Sequence, residues 1–546
     1  MVCGQRAFQR DSWVGTLAAI LHDEPRPLRE ICGTIPAAIE QHVARCLRKD
    51  PAQRFQTMLE VKRALAERAS SRVASGAATS PGVDSSSGAG EKEVPSIAVL
   101  PFMNLSDDKE NEYFSDGLAE EIINALNKIP ELRVIARTSA FAFRGKEKDL
   151  RAIAAGLGVG TILEGSVRRA GNRIRVSAQL IRVADESNLW SEKYDREMTD
   201  IFAIQDEISI AIADSLRVKF AGPQRGTKNI EAFQNYLRGL YFYQRYNPES
   251  LAKARESFEQ ALGLDPGYAH AHAGLAVFYF GIGALSIRRM TEMAPLARSA
   301  AEKALAIDPT LSEAHSVLGL VTGAVEYDWK RAERHFQAAM ASEPVPPLVR
   351  VRYGLYFLTP LRRFKEAVEQ YRRALETDPL SMMVHFGLAF AYYCEGRYDE
   401  AIEHASGAVE LYPNYWLVHF GLGLALAQKG SLEKAIASFE SALRLSPTFT
   451  LSTGFLAAAY AQSGNSSHAE KLMEEVRERS SKQYISPACF GVYQAAIGQA
   501  DKMFEYLEAA LAERDPYLTR MDAEPHFGTY RSDPRYRDLL GKLNLS

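Results

Sequence analysis

FKEAVEQYRRALETDP, residues 364 to 379, is the stretch that decides the fold. Ala367, Tyr371 and Ala374 stand four and three apart, so they share one face of a helix. The alanines let a paired helix come close, and the ring fills the space beside them. Pro379 then closes the helix, because it has no N–H to continue the ladder. The same figure recurs as Ala254, Phe258, Ala261 before Pro266, as Ala332, Phe336, Ala339 before Pro344, and as Ala435, Phe439, Ala442 before Pro447. With Pro309 and Pro413 added, four of the five proline spacings are 34 or 35 residues. A period of that length means stacked helix pairs, none of which buries its apolar face alone. The first helix of a pair carries Leu275 with Tyr279, Leu388 with Tyr392, or Leu422 with Gly423, where a small residue permits close packing.

Through this phased pattern, residues 229–546 resemble the tetratricopeptide repeat family, which implies an α-solenoid. The 43-residue interval from Pro266 to Pro309 predicts an inserted turn near Gly281 to Met293. The stretch from Pro447 to Pro487 and the tail DPRYRDLL (533–540) resemble atypical capping repeats, since a solenoid end must meet water. In this family the inner faces of the first helices line a concave groove. Carried onto this sequence, those positions are His270, Val277 and Phe280, then Met383, Phe386, Phe390 and Tyr393, then Leu417, Phe420 and Leu424. They are mostly apolar or aromatic, unlike the Lys, Arg and Asn clamp of chaperone-binding members. Such a surface suits an amphipathic helix or a hydrophobic peptide, unless neighbouring helices or the C-terminal cap cover it. A protein or peptide partner is the expectation.

His272, His315, His385 and His419 each follow a repeat proline by six residues. Stacked pairs lie roughly 10 Å apart, whereas ligands of one zinc each lie about 2 Å from it. Core packing at the helix contact, not metal binding, is the reading.

Upstream, SIAVLPF (96–102) and LRVIA (132–136) have strand character, and residues 113–128, 149–158 and 200–217 have helical periodicity. Residues 161–197 read as a meander turning at Ala170-Gly171-Asn172, with Ile174, Val176 and Ala178 facing inward. The strings VLPFMNLS, YFSDGLAEEI, LEGSVRR, QLIRVADESNLWSEKYDRE and DIFAIQDEI resemble the TolB amino-terminal-like domain, which implies a small α/β fold and no reaction. Asp116, Glu120 and Glu121 are expected to favour the helix dipole and face water. Trp190 and Tyr194 are expected in the core. Gly156 to Gly160 follows a helix and precedes a strand, the reverse of a nucleotide-binding order.

VARCLRKDPAQRFQTMLEVKRAL (43–65) resembles the last helices of a bacterial serine/threonine protein kinase domain. The Gly-rich loop, strand lysine, catalytic aspartate and metal-binding aspartate of that family have no counterparts, so the resemblance implies a remnant without kinase activity. Arg54 would lack the glutamate it pairs with in the family. The alternative is the C-terminal portion of a larger kinase whose start codon is misassigned.

Residues 70–95 are Ser-, Gly- and Ala-rich and read as a linker, as does 221–228. The expected organisation is a kinase-like piece at 1–69, an α/β domain at 96–220 and the repeat array at 229–546 with its C-terminal cap. The chain has 65 Lys and Arg against 68 Asp and Glu, a net charge of -3, which gives no footprint for nucleic acid. Five scattered cysteines without a CxxC pair fit reduced thiols and a cytoplasmic setting. No apolar run is long enough to span a bilayer. The expectation is a non-catalytic scaffold in bacterial signalling, with no cofactor and no metal.

Overall fold

The computed structural model of the chain describes residues 43–45, 94–106, 112–144, 149–220, 226–243, 248–341 and 344–545. The chain divides into two units, residues 1–91 and 92–546. Of the first, Val43 to Arg45 are described and are helical. The remainder of the kinase-like segment, including Arg54, lies outside the described residues, as do most of the 70–95 linker and residues 221–225.

The second unit opens on a mixed sheet. Its strands are β1 (Ser96–Val99), β2 (Met103–Asn104), β3 (Arg133–Val134), β4 (Thr161–Ala170), β5 (Arg173–Arg182) and β6 (Ser187–Glu197). The order is β3-β1-β4-β5-β6, with β2 pairing β4 off this path. β3, β1 and β4 run parallel, while β4, β5 and β6 form the expected antiparallel meander. Alternation along β1 sorts the two faces, because successive side chains point opposite ways. Ile97 and Val99 join a core with α1 (Glu112–Leu126) and, across the meander, with the later helix α4 (Ile201–Leu216). Ala98 and Leu100 join the opposite core, under α2 (Arg137–Phe141) and α3 (Leu150–Leu157). Ile174, Val176, Ala178 and Leu180 all point inward from β5. α3 ends on Gly158, whose left-handed φ of 64° makes it a C-cap. Tyr194 is buried as expected, whereas Trp190 is half-buried at the core's edge.

Among the described residues eight helix pairs follow. They are α5 (Ile230–Tyr243) with α6 (Pro248–Leu264), α7 (Ala269–Ala284) with α8 (Met290–Ile307), α9 (Ser312–Leu320) with α10 (Trp329–Ala339), and α11 (Pro347–Tyr353) with α12 (Phe364–Thr377). Then come α13 (Met382–Glu395) with α14 (Tyr398–Leu411), α15 (Trp416–Gln428) with α16 (Leu432–Leu445), α17 (Leu451–Gln462) with α18 (Ser466–Ser480), and α19 (Pro487–Ala496) with α20 (Ala500–Ala512). α9 and α11 each run on into a π-helical turn, at Val321–Val325 and Gly354–Leu358.

The motif that set the period explains the packing. Tyr371 of α12 lies between Gly354 of its own first helix and Gly387 of the next, and a Cβ on either glycine would come within 2.6 Å of the ring. Ala367 and Ala374 are fully buried beside it. This pair is thereby keyed to its successor by a ring seated on backbone, as Phe258 is seated between Gly239 and Gly274. The turns between first and second helices share a left-handed residue, which is glycine at 396, 430, 464 and 498 but Tyr327 and Arg362 where the π-helical turns occur.

Two expectations change. The long Pro266–Pro309 interval comes mainly from longer helices, 16 residues in α7 and 18 in α8 against 14 each in α13 and α14. The segment from Pro447 to Pro487, expected as an atypical cap, holds an ordinary helix pair, α17 and α18, and a further pair, α19 and α20, follows it. The tail beyond them, 3-10 turns at Pro516–Arg520 and Pro525–Tyr530 and then α21 (Pro534–Lys542), packs on the last helix α20, with Arg535 2.7 Å from Asp501, and also returns along the array. The reason lies in its apolar side chains: Leu518, Met521, Phe527, Tyr536 and Leu539 bury fully by returning to the array, which a polar end-cap would not require. The array itself winds far enough that Arg289, at the start of α8, reaches Glu513 beyond α20 at 3.2 Å. Among the described residues no helix is long and apolar enough to cross a membrane.

Candidate functional site

The sequence-assigned groove residues all lie on first helices of their pairs, and most of them are covered by the chain's own parts. Phe280, Phe386, Phe390, Tyr393, Phe420 and Leu424 are buried, while His270, Val277, Met383 and Leu417 are half-buried. The tail lies over the later repeats. Tyr393 donates a hydrogen bond from Oη to Glu524 at 3.0 Å, and the Arg520 guanidinium sits 5.2 Å from the Phe390 ring centre. Tyr517 and His526 pack edge-on to Phe455, which itself meets Phe420 at 5.4 Å. Trp329 donates from Nε1 to the Leu543 carbonyl at 2.9 Å, and Arg362 donates to the Asp522 carbonyl at 2.6 Å. An open apolar channel is therefore replaced by a filled one, because rings at this density are costly to leave in water.

The sheet domain covers the earlier repeats and is fixed to them at two places. On one side Phe202 of α4 meets Phe233 of α5 at 5.2 Å, and Leu237 lies on the bare backbone of Gly117. On the other, Ser139 donates to Asp378 at 2.6 Å and accepts from the Leu380 N–H at 2.7 Å. The Ala136 N–H donates to the Thr377 carbonyl at 2.7 Å, and the Leu380 side chain packs against the core around Ile135, Ala140 and Ile153. Burial pushes the Asp378 carboxyl above its usual range, against the hydrogen bonds from Ser139 and Ser381.

Between these two anchorages lies a cavity of about 490 Å³. The sheet domain supplies Glu120, Glu121, Lys128, Arg137, Gln205 and Asp206 to its wall. The array supplies Tyr236, Phe258, Tyr268, His270, Val277 and Glu313, with Arg352 beyond. His270 and Val277 are thus the sequence-assigned residues that face space. The acids of α1 do not face water as expected. Asp116 is 3% exposed and bonded by Arg144, with Arg137 3.7 Å away, and Glu120 lies 3.1 Å from Arg137. Burial raises both carboxyls despite these arginines. It also lowers Lys128 and holds the His270 imidazole toward its neutral form. Arg137, Gln205 and Tyr236 escaped the sequence reading, Gln205 although it lies within DIFAIQDEI, since each belongs to the site only through the contact of two domains.

The four phased histidines are not core residues. Their rings are half-exposed, and each Nε2 lies 2.8 to 3.0 Å from the carbonyl of the proline six residues earlier. They tie the first turn of a new pair to the loop that closed the last one. Among the described residues no group of His, Cys, Asp and Glu is arranged to hold a metal ion.

The fold and this site define a tetratricopeptide-type array joined to a small mixed-sheet domain. The Tetratricopeptide repeat family model matches residues 361–415 and 395–448, from α12 through α16. A protein of Rhizobium meliloti (strain 1021), provisionally named adenylate cyclase 3, is 47% identical over 189 residues, 34% of this chain and 32% of that protein. The match thus spans about a third of that relative. Among solved structures, PilF of Pseudomonas aeruginosa is similar over 43% of this chain and 97% of its own, at 20% identity and a TM-score of 0.31. TolB from Acinetobacter baumannii is similar over 23% of this chain and 28% of its own, at 18% identity and a TM-score of 0.18.

Proposed function

We propose that this chain is a non-catalytic interaction scaffold in bacterial signalling, whose array accepts a protein or peptide partner on its concave face when the C-terminal turns leave it. One observation carries the reading. The ring-lined face of α13 is closed in part by a returning segment, through contacts such as Tyr393–Glu524 and Arg520 over the Phe390 ring, in addition to the stacking of the pairs. A partner presenting an amphipathic helix or hydrophobic peptide would take the place of Tyr517 and its neighbours. The acting parts are the α/β domain at 96–220 and the array at 229–546, working in the cytoplasm.

The test is affinity capture from the source organism with the full chain, with Phe386→Ser/Phe390→Ser, and with an Arg362→Cys/Asp522→Cys variant oxidised to lock the tail. Partners should be retained by the parent and lost by both variants. Equal recovery of the same proteins by all three would sink the proposal. Since a third of the Rhizobium protein is shared, formation of cyclic AMP from ATP by the purified chain would overturn the non-catalytic part. A second reading rests on residues 43–65: the chain as the C-terminal portion of a larger serine/threonine kinase. In-frame upstream sequence encoding the Gly-rich loop and catalytic aspartate would establish it.

A further inference from the structure

The cavity between the sheet domain and the early repeats is separate from the ring-lined face and has its own chemistry. Its volume, about 490 Å³, suits a molecule of metabolite size. One wall is aromatic, with Tyr236 edge-on to Tyr268 at 5.1 Å and 6.0 Å from Phe258. Around it Glu121, Asp206 and Glu313 outnumber Lys128 and Arg352. Arg137 is already taken up by Glu120 and Asp116, so the remaining field is acidic and repels a phosphate. A cation gains there twice, from the carboxylates and from the faces of the rings.

The site also holds polar groups awaiting an occupant. Gln205 is 7% exposed, lines the cavity, and its amide Nε2 has no hydrogen-bond partner. Nδ1 of His270 is likewise without one. Buried donors and acceptors are almost always satisfied, so an orphaned amide facing a cavity marks a place for a ligand acceptor.

We propose that this cavity binds a small organic cation, an amine or amidine carried on an aromatic or polar body with a hydrogen-bond acceptor for Gln205. Both domains supply walls, so the occupant joins the sheet domain to the array. This binding does not depend on the partner interaction proposed above.

The test is calorimetric titration of the full chain with tyramine and agmatine, with N-acetyltyramine and ATP as uncharged and anionic controls. At least one of the two amines should bind saturably, and at least tenfold more tightly than either control. Glu313→Gln should weaken that binding tenfold or more and Gln205→Leu severalfold. Val277→Trp, which fills the space, should abolish it without lowering the melting temperature, while Glu433→Gln, at an exposed position of α16, should bind as the parent does. Failure of both amines to saturate, equal affinity for N-acetyltyramine, tighter binding of ATP, or unchanged affinity in Glu313→Gln would overturn the proposal.

Discussion

Tyr393 and Glu524, 131 residues apart in the chain, meet in a buried hydrogen bond of 3.0 Å that fastens the tail to the inner face of the array. Burial raises the Glu524 carboxyl from 4.5 to about 7, outweighing the nearby Arg520. His526 Nδ1 stands 3.6 Å away, yet burial lowers that imidazole to about 3, so the contact is not an ion pair at neutral pH. A carboxyl whose folded value is raised binds its proton more tightly in the folded state. Its contribution is therefore full below pH 4.5 and is lost as pH rises through 7. Glu524→Gln removes that dependence. Relative to the parent, the variant should gain up to ~3 kcal/mol of unfolding free energy between pH 4.5 and 8. Denaturant titrations at both pH values measure it, and a constant difference would contradict the assignment.

Ser139 is the hinge pin of the sheet domain's second anchorage, donating to Asp378 and accepting from Leu380. Ser139→Ala strips a buried carboxyl of one of its donors and leaves the Leu380 N–H unpaired, at a cost of about 2–3 kcal/mol. Hydrogen exchange should quicken at residues 133–140 and 376–380, while α15 to α20 exchange as before. Unchanged protection at both segments would mean the anchorage is held by apolar contact alone.

Three glycine-to-alanine changes should differ in sign because their surroundings differ. Gly387→Ala drives a methyl into the Tyr371 ring and should cost about 1–3 kcal/mol. Gly430 has open space around it but a φ of 79°, so Gly430→Ala should cost about 1–2 kcal/mol through backbone strain alone. Gly407 is exposed inside α14 with nothing near its Cβ position, and Gly407→Ala should stabilise by about 0.5–1 kcal/mol. Melting curves of the three variants give the order directly.

The repeat array was legible because Ala367, Tyr371, Ala374 and Pro379 recur in phase, and helix phase is a local property of sequence. The meander was legible in Ile174, Val176 and Ala178 for the same reason. What lay beyond reach was contact across long separations. Phe390 and Tyr393 have the composition of a groove wall whether a partner or residues 516–530 cover them, and nothing within α13 distinguishes the two. Asp116 reads as a solvated first-turn acid until Arg144 and Arg137 are brought to it from the far side of β3. The cavity was out of reach, since Gln205 and His270 stand 65 residues apart, in strings that resemble two different families.

The histidine ties make the last prediction. A proline carbonyl only accepts hydrogen bonds, so a ring nitrogen 2.8 to 3.0 Å from it must carry a proton. His272, His315, His385 and His419 should therefore all be Nε2–H tautomers when neutral, although a neutral ring can carry its proton on either nitrogen. Long-range ¹H–¹⁵N spectra of the imidazoles at pH 8 distinguish the two forms. Substitution of His385 by Phe keeps the ring's bulk but removes the donor, and should cost about 1 kcal/mol. A resonance pattern of Nδ1–H at any of the four, or a His385→Phe variant as stable as the parent, would show that ring shape and not the hydrogen bond holds these turns.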